Sequence, residues 1–120
     1  MMIHIFVEYV DIRKNFNMCE VVNKRKDRYD VDITRPSKWG NPYSHLDFSL
    51  AEYKVDSPEE AVRLFEEYLI NNDELMNSLH ELKYKKLGCV CLKKSPCHGK
   101  ILKKYVDKLE YLDQLNTHFQ

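Results

Sequence analysis

Residues 86–92 read KLGCVCL, and how this stretch is taken decides the fold. It is short and apolar on both sides, with lysine only at its start, which predicts a central strand covered on both faces. Lys93 to Pro96 then make a tight connection. A long helix is expected from about Pro96 or Cys97 to near Leu115, with Ile101, Leu102, Tyr105, Leu109 and Leu112 as its apolar positions. A buried strand feeding directly into a helix is the local signature of an α/β architecture.

The rest of the chain agrees. MIHIFVEYV (2–10) and MCEVVN (18–23) are rich in β-branched and aromatic residues and read as strands. In YDVDIT (29–34), Tyr29, Val31 and Ile33 alternate with Asp30, Asp32 and Thr34, the pattern of a half-buried strand. RPSKWGNPYSHLDFSL (35–50) carries two prolines and a glycine and reads as an irregular loop. Next, Ser57 is suited to cap a helix, Pro58 to open it, and Glu60 falls three residues after the cap. Ala61, Leu64, Phe65 and Tyr68 share one face of that helix, and Asn71-Asn72 interrupt it before a second from Asp73 to Leu82. The expectation is an α/β fold over residues 1–120: a compact single-domain sandwich, a mixed sheet covered by helices.

With 120 residues, 43% hydrophobic and 32% charged, the chain can bury a core without staples. No apolar run is long enough to cross a bilayer, and the start lacks a basic, cleavable leader. A cytoplasmic protein with reduced cysteines is expected. Zero formal net charge argues against nonspecific nucleic-acid binding. The charges are unevenly placed, however. Residues 47–81 hold ten acids against Lys54 and Arg63, while residues 83–108 hold nine lysines against Asp107. Such a basic end steers phosphate-bearing ligands, unless its lysines only solvate outer faces.

LGCVCLKKSPCHGKIL (87–102) gathers three of the four cysteines. On a strand, Cys89 and Cys91 point to the same face. Cys97, His98 and Gly99 start the next helix, where unpaired amides attract anions and lower a thiol's pKa. Three readings stand side by side. The turn is a ligand pocket with Cys97 and His98 on its rim; or Cys89, Cys91, Cys97 and His98 hold zinc, although the spacing is not a common finger pattern; or Cys89 and Cys91 are small buried hydrophobes and His98 is merely a helix-start residue.

TRPSKWGNPY (34–43) is the second constellation. Arg35 and Lys38 suit phosphate or carboxylate, Trp39 offers a stacking surface, and the Asn41 amide reads a polar edge. The structural alternative is a loop anchored by Trp39 in the core, with Arg35 capping nearby backbone. Asp30 and Asp32 are expected to be solvated carboxylates. His4, His45, His80 and His118 are given no role.

In these stretches the sequence resembles a family of uncharacterised phage and bacterial proteins grouped as a domain of unknown function. The resemblance rests on R-x-x-K-W-G-N-P-[FY] at Arg35–Tyr43, S-x-E-E-A at Ser57–Ala61, and L-G-C-x-C…C-H-G-x-x-L at Leu87–Leu102. It covers roughly residues 20–105. The family's frequent Asp after C-H-G is Lys100 here, and its frequent Trp inside C-x-C is Val90. The resemblance implies that loop and turn form one site, but supplies no reaction.

The resulting expectation is a site for a nucleotide-like or phosphosugar ligand, with N-glycosidase or transferase chemistry. Arg35, Lys38, Trp39, Asn41, Cys91 and Gly99 would bind it, and Cys97 or His98 would supply nucleophile or acid/base. No cofactor is expected except zinc in the second reading. The alternatives are a ligand-sequestering module, a protein-interaction module of phage or host-defence type, and a zinc-stabilised module.

Overall fold

A computed structural model describes residues 18–46, 51–91 and 95–119 of the chain. The strand expected over residues 2–10 lies outside the described residues. Strand β1 spans Glu20–Asn23, β2 Val31–Asp32, β3 Tyr43–Ser44, β4 Tyr53–Lys54 and β5 Lys86–Cys89. Helix α1 spans Pro58–Ile70, α2 Asp73–Ser78 with a 3₁₀ turn over Leu79–Leu82 behind it, and α3 His98–Phe119. The fold is α/β, as expected.

β5 is the middle strand of a three-stranded sheet ordered β1-β5-β2, both pairings parallel. Val21 and Val31 flank Leu87 from either side, and Leu87, Gly88 and Cys89 are all buried. The apolar run is thus explained by its place: covered on both faces and paired on both edges. The glycine in its middle has a specific cause. The crossover from β1 to β2 lies over Gly88, where a Cβ would stand 2.8 Å from a Tyr29 ring carbon and 2.9 Å from the Lys24 Cβ. β3 and β4 form a separate parallel pair with Tyr43 and Tyr53 stacked at 5.3 Å. At two residues each, they are too short to leave a period in the sequence.

α1 begins as its caps dictate: the Ser57 side chain accepts the Glu60 N–H at 3.1 Å. Asn72 does the same for α2, accepting from Leu75 N at 3.0 Å. The buried row of α1 is Ala61, Phe65 and Leu69, so the face is turned from the expected one, leaving Leu64 and Tyr68 at its border. α3 differs more. Its buried row runs His98, Leu102, Val106, Glu110, Gln114 at steps of four, while Leu112 is exposed. Ile101, Tyr105 and Leu109 pack beside that row. The core lies between α1, α3 and the sheet, centred on Phe65, Leu69, Leu87, Leu102 and Val106.

Among the described residues no helix is long and apolar enough to cross a membrane.

Candidate functional site

The C-terminal end of β5 and the start of α3 meet the 35–46 loop around one cavity of about 440 Å³. Arg35, Asn41, Cys89, Cys91 and His98 all line it, and α1 closes a wall with Ala61 and Val62. The loop and the cysteine turn therefore share a site, the contact on which the sequence reading depended. This is where open parallel sheets place ligands, beyond the carboxyl ends of their strands. A volume of this size suits a small molecule.

The loop is built by its own side chains. Arg35 Nη1 donates to the Asn41 carbonyl at 2.8 Å and the Tyr43 carbonyl at 3.3 Å. Asn41 is buried, donating through Nδ2 to the Ala61 carbonyl at 3.0 Å and accepting the Tyr43 N–H at 2.9 Å. Both polar ends of the Asn41 amide are thereby spent on tying the loop to α1. Arg35 keeps its Nη2 and Nε without a partner among the described residues and is the cation of the described lining.

Two expected ligand contacts are corrected. Trp39 is 3% exposed and belongs to the core, so its ring anchors the loop and is not available for stacking. Lys38 lies outside the cavity lining, held by Glu81 at 2.9 Å, with its ammonium 5.1 Å from the Trp39 ring centre. Gly99 is corrected as well. A Cβ there would stand 2.9 Å from Ile33 Cδ1 and 3.0 Å from Val21 Cγ1. The missing side chain lets α3 approach the sheet rather than letting a ligand approach the backbone.

The turn brings three thiols together. The Sγ atoms of Cys89, Cys91 and Cys97 lie within 4.8 Å of one another, and this cluster is able to hold a metal ion. Cys89 and Cys97 are 3.0 Å apart, and Cys89 Sγ accepts the Cys91 N–H at 3.2 Å. The thiols of Cys91 and Cys97 donate to Cys89 and hold it well below the ordinary thiol range. Those two are pushed up in turn, first by the same contact with Cys89. The trio thus favours one thiolate, centred on Cys89.

His98 does not join the sulfurs. Its Nε2 lies 2.8 Å from the Ile33 carbonyl and its ring meets Phe65 edge-on at 5.0 Å between centres. Burial holds its pKa below the usual imidazole range. It staples the first turn of α3 to the end of β2, and it also lines the cavity. The four-ligand set Cys89, Cys91, Cys97 and His98 is therefore reduced to its three cysteines.

Tyr43, Ser44 and His45 line the cavity without having been singled out in the sequence. Their nearness to the K-W-G-N-P motif was the available signal. The lysines of 83–108 do not crowd the described lining. Lys83 pairs with Asp113, Lys103 with Asp107 and Lys104 with Glu66. Asp32 is half-buried and held by Lys24 at 2.8 Å and by Thr34.

The family described as Domain of unknown function (DUF4326) matches residues 18–108. The chain belongs to this family. Its matched segment contains β1, the K-W-G-N-P loop, α1 and the thiol turn, so every part of the cavity described above falls within it. A relative from Enterobacteria phage T4, described as an uncharacterized 12.4 kDa protein in the nrdA-td intergenic region, is 38% identical over 96 residues, covering 77% of this chain and 81% of the relative. No solved structure gives a significant match.

Proposed function

We propose that the protein binds a small phosphate-bearing ligand, nucleotide-like or phosphosugar, in the cavity between the 35–46 loop and the thiol turn. The observation that carries this reading is the cavity itself: about 440 Å³, lined by both motifs, with Arg35 on its wall. The partly free Arg35 guanidinium suits a phosphate through its Nη2 and Nε. The first turn of α3 adds the partial positive charge of a helix N-terminus on the same side. Tyr43 and the apolar wall of Ala61 and Val62 offer surface for a base or sugar.

Binding is better supported than turnover. His98 spends Nε2 on the Ile33 carbonyl, and Cys97 is buried against Cys89. N-glycosidase or transferase chemistry would need one of them released towards the ligand. Calorimetry of the tagless protein against nucleoside monophosphates and ribose 5-phosphate tests the reading, with a micromolar Kd expected for at least one. Val62→Phe, which narrows the cavity without touching the bonds of Arg35, should weaken that binding tenfold or more. Silence across the panel at millimolar concentration would sink it. Mass spectrometry of the ligand after incubation separates an enzyme from a sequestering module, which returns its ligand unchanged.

A second reading is favoured by the sulfur geometry: zinc held by the thiol turn stabilises the domain. Metal binding is then folding energy. Zinc would be found in the purified protein, and strong chelator would lower Tm by several degrees. A Tm that ignores the chelator speaks against it.

A further inference from the structure

The three cysteines of the turn form a set that the ligand reading leaves without a task. Cys89 closes the middle strand, Cys91 follows by two residues, and Cys97 directly precedes α3. Rigid elements therefore position two of the three sulfurs. All four cysteines of the chain are free. The three sulfurs lie within 4.8 Å of one another, the closest pair 3.0 Å apart. Ligands about 2.3 Å from a zinc ion at the corners of a tetrahedron stand about 3.8 Å apart, inside that range. A cation fits among them with small side-chain shifts.

The fourth corner is the informative one. His98, next to Cys97 in sequence, is turned away to the Ile33 carbonyl. Among the described residues no histidine or carboxylate joins the three sulfurs. The connection at 92–94, Leu-Lys-Lys, offers no metal-ligating residue type. Cys89 and Cys91, in contrast, both line the cavity. We propose that Cys89, Cys91 and Cys97 bind one thiophilic divalent cation, of which zinc is the type, through three thiolates. Its fourth position opens on the cavity and takes an exchangeable oxygen: water in the free protein, an anionic oxygen of the ligand in the complex. Closed four-ligand sets are structural, whereas three protein ligands with an open corner bring the metal to the substrate. Three thiolates leave the site with net negative charge, and Arg35 on the same lining is placed to balance it when an anion enters. The cation site stands apart from the identity of the ligand, while the role of its fourth corner rests on the cavity being the ligand site.

Cobalt(II) titration of the reduced, chelator-stripped, tagless protein tests this. One cobalt per chain is expected, with thiolate charge-transfer bands in the near-ultraviolet and the intense visible bands of a tetrahedral ion, displaced by zinc. Cys89→Ser, Cys91→Ser and Cys97→Ser should each weaken cobalt at least a hundredfold. His98→Gln, checked for folding by circular dichroism, should leave affinity within threefold. Inorganic phosphate or azide added to the cobalt form should shift the visible bands. If no cobalt is taken up, the cation site is overturned, and the ligand reading still stands or falls by calorimetry. If a folded His98→Gln loses the metal, the three-thiolate set is wrong. If cobalt binds but both anions leave the spectrum unmoved, the open corner is wrong. If the spectrum shifts while no nucleotide or phosphosugar gives heat, the open corner holds and the proposed ligand class fails.

Discussion

At the C-terminal end of β5, three thiols share a buried corner that opens on a cavity; at its N-terminal end, one carboxylate is sealed from solvent. Glu110 of α3 is 0% exposed. Its Oε2 accepts the Cys19 N–H at 2.9 Å, just before β1, and the Tyr84 N–H at 2.6 Å, just before β5. One acceptor thus holds the entries of two neighbouring parallel strands in register, and it fixes Tyr84 in a left-handed conformation at φ 63°. The cysteines make the contrast sharp. Cys19 and Cys89 are both buried. Burial and the Glu110 charge push Cys19 up to about 12, whereas two donating thiols hold Cys89 down. Burial alone does not make a thiol inert or reactive; the groups that share the burial do.

The largest expected effect is at the clamp. Glu110→Ala leaves two backbone donors without their acceptor, which costs about 3 kcal/mol, read as a shifted denaturation midpoint with an unchanged slope. Glu110→Gln keeps an acceptor for both. Its new amide replaces Oε1, which has no partner among the described residues, and Gln114 Oε1, also unpartnered, lies one turn on along the same row. That variant should stay within about 1 kcal/mol of the parent. Should the alanine variant prove equally stable, the strand entries are held by something else.

Second in size is the contrast between the two ends in thiol reactivity. Cys91 is half-buried and lines the cavity, while Cys19 is sealed and pushed far above neutral. In native protein at pH 7, alkylation followed by peptide mapping should modify the cavity-lining Cys89–Cys91 pair, which carries the trio's one thiolate, on the order of a hundred times faster than Cys19, because the thiolate is the nucleophile. Comparable labelling would show that the clamped end opens as readily as the site, and the comparison would collapse.

These two regions were not equally legible in the sequence. KLGCVCL announced the middle strand because a strand covered on both faces leaves a continuous apolar run, and the α1 caps were explicit in Ser57, Pro58 and Glu60. The meeting of loop and thiol turn was implied only by the family resemblance of the two motifs, and it took the fold to bring both to one cavity. What the sequence withheld was which side chains were already engaged. Lys38 is taken by Glu81, 43 residues away, Asn41 by Ala61 and His98 by Ile33. Residue type says what a group is able to bind, and only the fold says whether a distant partner has claimed it. Glu110 was missed for a different reason. A glutamate in a charged helix reads as solvated, and only the row of four-residue steps from Leu102 through Val106 would have placed it inside.

The smallest effect concerns the two carboxylates, whose pH responses should run in opposite directions. Burial raises the Glu110 pKa. The folded state therefore holds that proton more tightly than the unfolded chain, so the stability it contributes is present below the unfolded pKa of about 4.3 and is lost as pH rises through the folded value. Asp32 is the mirror case: hydrogen bonds from Lys24 and Thr34 lower it to about 2. Its contribution is present above the unfolded value of about 3.9 and is lost as pH falls through about 2. Since the Asp32 side chain is 40% exposed, screening keeps the ion pair with Lys24 to about 0.5 kcal/mol. Asp32→Asn should cost about that much at pH 7 and nothing measurable near pH 2, whereas Glu110→Gln should flatten the loss of stability on the way up from acid pH. Urea midpoints of both variants, followed between pH 2 and pH 7, read the two slopes directly. Equal signs would mean that the donors around Asp32 do not outweigh its partial burial, or that Glu110 is charged when folded and held by its two backbone donors.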